Sequence, residues 1–165
     1  MSHCTVCGGE LEDKMLENEG MIPFCNHCGE YRFPMFNTAI SAIVYNPDGD
    51  KIILIQQYGK KRNILVAGYV TKGEGVEETL VREIKEELGL DVIDYTFNAS
   101  EYFPPSNTLM VNFACKVSSD SLEHTNEEVD FVDWYPAEHV LDHMDPSILA
   151  ARFVKKWTEK QTYYR

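Results

Sequence analysis

The sequence predicts an α+β fold: a helix–sheet–helix sandwich with a small N-terminal ribbon. Three observations predict it. Strand-like apolar stretches are interrupted by one amphipathic helix and closed by a second near the C-terminus. Four of the five cysteines stand in two close pairs ahead of the first long strand-like stretch. The 165 residues, 44% of them apolar, suffice for one core of ordinary size with a small appendage.

Residues 1–33 read as the ribbon and residues 34–165 as the main domain, with the break at Phe33-Pro34, where proline disfavours regular structure in the residue before it. The ribbon carries Cys4-x-x-Cys7 and Cys25-x-x-Cys28, each pair followed by glycine. A C-x-x-C turn presents two thiolates to one ion, and two such turns complete a tetrahedron, so the pattern predicts structural Zn²⁺. Disulfides or a redox C-x-x-C are the alternatives. His3 and His27 lie nearby, but four cysteines already close the site. Cys115 sits in an apolar alternating stretch and reads as core.

In the main domain, residues 38–45 read as a strand, Asn46-Pro47-Asp48-Gly49 as a turn and residues 51–58 as the returning strand. A short strand at 63–67 leads to Gly68. A helix follows over 76–88, with Gly89 as its C-terminal stop. Strands are expected near 92–102, 108–117 and 128–135. A short helix at 137–142 and a longer one at 146–160 close the chain, the latter with Ile148, Leu149, Phe153 and Trp157 on one stripe.

The helix at 76–88 is chemically the richest element. With about 100° of turn per residue, Glu86 and Glu87 fall within about 60° of Glu83 on one face. Leu80, Val81, Ile84 and Leu88 fall on the other, which predicts a buried stripe opposite three carboxylates. Like charges at such spacing repel by a few tenths of a kcal/mol per pair. Bound divalent cations, which prefer oxygen ligands, would remove that cost.

The formal net charge of −12 disfavours an electrostatic grip on duplex nucleic acid. The ribbon segment itself has two basic residues, Lys14 and Arg32, against six acidic ones. No apolar run approaches a membrane span, and the first residues lack the basic-then-apolar pattern of a secretory signal. A cytoplasmic protein is expected, with a homodimer left open.

Residues Gly68–Leu90, GYVTKGEGVEETLVREIKEELGL, fit the pattern G-x5-E-x7-R-E-U-x-E-E-x-G-U through Gly68, Glu74, Arg82, Glu83, Ile84, Glu86, Glu87, Gly89 and Leu90. The chain thereby resembles the Nudix hydrolases, whose fold is the sandwich described above. With the ribbon ahead of the domain, it is similar to their NAD(H) diphosphatase group. Residues 66–74, VAGYVTKGE, resemble that group's leucine-alanine-glycine-phenylalanine-valine-glutamate-proline-glycine-glutamate. In residues 100–110, SEYFPPSNTLM, the group's downstream signature is met by Ser100, Pro104, Leu109 and Met110, with Phe103 for tryptophan and Thr108 for serine. Glu101 replaces a glutamine, Tyr102 and Ser106 replace prolines, and Pro105 replaces phenylalanine. The large domain those enzymes usually carry ahead of the ribbon is not in this sequence.

The resemblance implies metal-dependent hydrolysis of a pyrophosphate bond in a nucleoside diphosphate-linked substrate, such as NAD(H) to AMP and nicotinamide mononucleotide. ADP-ribose, another sugar nucleotide or a nucleoside triphosphate is the alternative, and a non-catalytic nucleotide sensor a third reading. A capped RNA end remains compatible with the hydrolase. Glu83, Glu86, Glu87 and the Ala67 carbonyl are the expected Mg²⁺ or Mn²⁺ ligands. Arg82 is expected to fix the glutamates and Glu74 to brace the loop. Glu128, or its neighbour Glu127, is the further carboxylate. Phe36, Tyr69 and Phe103 are candidates to stack on the base or nicotinamide. Glu101 would weaken phosphate binding unless a cation pairs with it.

Overall fold

Apolar residues fill the central strand stretches at 37–45 and 51–57 on both faces, as expected for strands covered on both sides. In a computed structural model, which describes residues 2–122 and 126–163, the chain divides into two compact units, Met1–Phe36 and Asn37–Arg165. The first holds β1 (Glu12–Leu16), β2 (Gly20–Cys25) and β3 (Glu30–Tyr31) in one antiparallel sheet.

The second unit holds β4 (Asn37–Tyr45), β5 (Lys51–Gln57), β6 (Val66–Tyr69), α1 (Val76–Leu88), β7 (Val92–Phe103), β8 (Thr108–Val117), β9 (Val129–Pro136) and α2 (Leu149–Tyr163). The strand order is β7-β8-β4-β5-β9, with β6 also paired to β4. β4 and β8 run parallel and the other pairs antiparallel.

The two-residue period of the strands sorts the core into two layers. Ile40, Ala42, Val44, Ile53 and Ile55 pack with Leu80, Ile84 and Leu88 of α1. Ile43, Ile52 and Leu54 pack with Phe153 and Val154 of α2. Phe153 is fully buried, so Phe153→Ala would cost about 3–5 kcal/mol. A buried amide chain ties β7, β8 and β4 to α2: Asn98 Nδ2 donates to Asn112 Oδ1 and to the Phe153 carbonyl, and Asn112 Nδ2 donates to Ser41.

The helix–sheet–helix fold and the α1 bounds match the sequence reading. Four details differ. Val81 is 43% exposed, while Thr79 and Glu87 are buried. The buried arc of α1 is turned toward Glu87 because the loop before the helix covers that side, where the Thr79 hydroxyl donates to Glu74 Oε2. The strand expected at 63–67 is a bridge at Ile64 followed by β6, which runs through Gly68. The short helix is a 3-10 turn at Val140–His143 rather than 137–142. α2 starts at Leu149, because Asp145 Oδ1 accepts from the Ser147 amide and hydroxyl in a separate turn.

Candidate active site

α1 begins where the loop after β6 turns back on the sheet. Glu78 Oε2 accepts the Gly75 amide at 2.8 Å, which satisfies one of the free donors of the first turn. Gly89, at φ 69, ends the helix with its amide on the Lys85 carbonyl. These two ends fix the axis along which the glutamates project.

Arg82 is the hub of the loop–helix junction. Its Nε and Nη2 donate to the two oxygens of Glu74 at 2.7 and 3.0 Å, a bidentate pair. Its Nη1 donates to Glu83 Oε1 at 2.7 Å and to Glu86 Oε2 at 3.0 Å. The Arg82 guanidinium, with hydrogen bonds from Thr71 and Thr79, holds the Glu74 carboxyl well below the usual carboxylate range. Glu83 is raised, chiefly by burial, against the pull of Arg82.

Glu87 is the buried member, at 3% exposure. Gln57 Nε2 donates to its Oε1 at 2.9 Å, and its Oε2 is buried with no hydrogen-bond partner. Burial pushes the Glu87 carboxyl up to about 7; the Gln57 bond opposes this, and the charges of Glu83, Glu128 and Glu86 add to it. A bare buried carboxylate oxygen among other acids fits a cation. No three of these carboxylates offer oxygens within 4.8 Å of one another among the described residues.

Glu83, Glu87, Ala67, Gly68, Tyr69, Phe103 and Glu128 line one cleft of about 820 Å³. Glu127 is not part of that lining, and Glu86 faces a neighbouring shallow surface beside Lys85 and Tyr95. Phe36 belongs to the N-terminal unit and is exposed. Glu101 is already paired: Arg152 Nε and Nη2 donate to its Oε1 at 3.0 and 2.6 Å, and Lys156 Nζ donates to Oε2 at 3.1 Å. The sequence reading missed Gln57, Tyr58, Arg62 and Arg152, of which the last three line the cleft. A weak signal was present for one of them, since Gln56 and Gln57 break the apolar run of β5 at its end. Tyr58 has φ 57, a left-handed conformation that is uncommon for a bulky residue.

The NUDIX domain family matches residues 35–156. The chain belongs to the Nudix family. It is 30% identical over 135 residues to the NAD-capped RNA hydrolase NudC of Photorhabdus laumondii subsp. laumondii, covering 81% of this chain and 51% of that one. It is 27% identical over 154 residues to the protein of the same name from Pectobacterium carotovorum subsp. carotovorum, covering 92% and 57%. The chain thus spans about half the length of the curated relatives it matches. Among solved structures, a Nudix hydrolase from Nitrosomonas europaea aligns with a TM-score of 0.68 at 18% identity, over 99% of this chain and 93% of that one. The Nudix domain of Shewanella oneidensis NrtR, crystallised with ADP-ribose, aligns with a TM-score of 0.64 at 16% identity, over 78% and 90%. These likenesses show the fold.

The N-terminal unit of this Nudix protein gathers Cys4, Cys7, Cys25 and Cys28, whose sulfurs all lie within 4.8 Å of one another. Gly8 and Gly29 follow the two knuckles at φ 73 and 72, and their amides close on the Cys4 and Cys25 carbonyls at 2.8 Å. These positive φ values need glycine. The backbone amides of Cys7 and Val6, with Arg32 Nε, hold the Cys4 thiol down to about 5, while the neighbouring thiols, Cys7 foremost, push Cys28 up to about 12. Four sulfurs this close fit a zinc site, because a bound cation is what allows all of them to be thiolates.

Proposed function

We propose that this chain is a metal-dependent pyrophosphohydrolase that cleaves an NAD(H)-like dinucleotide to AMP and nicotinamide mononucleotide. The observation that carries this reading is Glu87, bonded on one oxygen, bare on the other, in a cleft shared with Glu83 and Glu128. Glu83, Glu86, Glu87 and Glu128, with the Ala67 carbonyl, are the groups that would hold Mg²⁺ or Mn²⁺. Bound there, a divalent cation supplies positive charge to the diphosphate and makes water a stronger nucleophile near neutral pH.

The part played by the protein's own residues is placement. Glu74 locks Arg82, and Arg82 keeps Glu83 and Glu86 from drifting apart. Tyr69 and Phe103 offer ring faces to the planar ends of the substrate. The preference for a dinucleotide is supported by the name of the relatives, NAD-capped RNA hydrolase, and by the cysteine-bearing unit ahead of the domain. The charge of Glu101 is no obstacle to phosphates, since Arg152 and Lys156 pair with it. The four cysteines would hold one structural Zn²⁺, and a reducing compartment such as the cytoplasm would keep them available for it.

The test compares specificity constants for NADH, ADP-ribose, diadenosine polyphosphates and nucleoside triphosphates with Mg²⁺ and Mn²⁺, in the parent and in Glu101→Gln. NADH should yield AMP and the nicotinamide half. If neither form cleaves NADH while ADP-ribose or a triphosphate is consumed, the dinucleotide assignment fails.

A further inference from the structure

β5 runs through the core and its pairing with β9 then slips. Gln56 faces Phe131, but Gln57 faces Val129, so Asp130 is an extra residue on β9. A bulge of this kind bends a strand and re-aims its neighbours. Here it clips three segments together. Asp130 Oδ2 accepts the Gly59 amide at 2.6 Å and holds the turn after β5. The Asn126 amide donates to the Glu87 carbonyl at 3.3 Å, so the segment before β9 closes on the last turn of α1. Asn126 Oδ1 in turn accepts the Glu128 amide at 3.0 Å.

Gln57 is where this clip meets the carboxylates. It is 7% exposed, and a buried amide is costly unless its hydrogen bonds are made. Its Nε2 is a donor only, so the 2.9 Å bond to Glu87 Oε1 is made to an acceptor. That bond fixes the rotation of the Glu87 carboxyl. The other oxygen, Oε2, is left buried and without a partner in a residue that lines the cleft.

We infer that Gln57 is a positioning residue for the divalent-cation site, holding Glu87 so that Oε2 alone is offered to the cation. The inference rests on the reading of Glu87 as a cation ligand. Gln57 acts through Glu87 rather than on the substrate, and loss of such an outer partner typically weakens metal binding by about 10–100-fold.

The experiment measures Mn²⁺ binding to the zinc-loaded full chain without substrate, from the electron paramagnetic resonance signal of free Mn²⁺. The parent is compared with Gln57→Met, Gln57→Leu and Glu87→Gln, each with its thermal unfolding midpoint. Methionine keeps length and volume and leucine keeps the volume; both remove the donor. Both Gln57 variants should bind Mn²⁺ about 10–100-fold more weakly while still unfolding cooperatively, and Glu87→Gln at least as weakly. In turnover assays, excess Mn²⁺ should restore kcat in Gln57→Met and not in Glu87→Gln. Parent-like affinity in both Gln57 variants, with Glu87→Gln weakened, overturns the positioning role and leaves the cation site standing. Parent-like affinity in all three overturns both. If one Gln57 variant does not fold, the other decides.

Discussion

The carboxyl group of Glu83 fills the space that any side chain at position 68 would need: a Cβ on Gly68 would stand 1.9 Å from Glu83 Cδ and 2.1 Å from its Oε1. The absence of a side chain at position 68 is therefore what lets the helix carboxylate settle against the backbone of β6. Gly68→Ala must push Glu83 out of place. Turnover should fall by about 100-fold, on the order of 3 kcal/mol in barrier, with cooperative unfolding retained. Turnover at the parent rate would show that the position of Glu83 does not matter to the chemistry.

Glu86→Gln and Glu87→Gln each remove a charge and keep the shape. Both should lower kcat by at least about 100-fold. They should differ in stability. Glu87 is buried with one oxygen bare, whereas the Glu86 side chain is 55% exposed and bonded to Arg82. Without divalent cation, Glu87→Gln should therefore unfold no lower than the parent, because a buried charge has been removed. A much lower midpoint in differential scanning calorimetry would count against this account of Glu87.

The cysteine cluster predicts about one equivalent of zinc per chain in metal analysis of the purified protein. Cys25→Ser should release it and raise proteolytic cleavage within residues 1–36 more than in the rest of the chain. Four free, titratable thiols in a metal-free but intact protein would refute the site.

Glu101 links β7 to α2. The hydrogen bonds from Arg152, followed by those from Lys156, hold its carboxyl below the ordinary range. A depressed folded value stabilises the protein above the unfolded pKa of about 4.3, and this contribution is lost as the pH falls through the folded value. The Glu101 side chain is 29% exposed, so the contribution is at most about 1 kcal/mol. Glu101→Gln should lower the unfolding midpoint by a few degrees at pH 7, with the gap closing below about pH 4. A gap that stays constant down to pH 3 would mean that the ion pairs contribute nothing.

The C-terminal bound of α1 was legible in the sequence because Gly89 ends an apolar period of 3.6, and the strands because apolar residues predominate between turns. The side of α1 that is buried was only partly legible. Val81 satisfies the period but lies beyond the edge of the sheet contact, while Thr79, polar and off the stripe, is covered by the preceding loop. The start of α2 was misplaced because Asp145 and Ser147 form a turn of their own, which the apolar stripe does not report.

The sequence by itself determined what short range decides: the cysteine knuckles, the glycine stops and the array of acids along one helix, since each depends on residues a few positions apart and on the fixed geometry of a turn. Only the tertiary structure decided which partners complete them. Gln57 meets Glu87 across 30 positions, and Arg152 meets Glu101 across 51. No local period encodes such pairs, because strand pairing, the β5–β9 bulge and the docking of α2 bring them together.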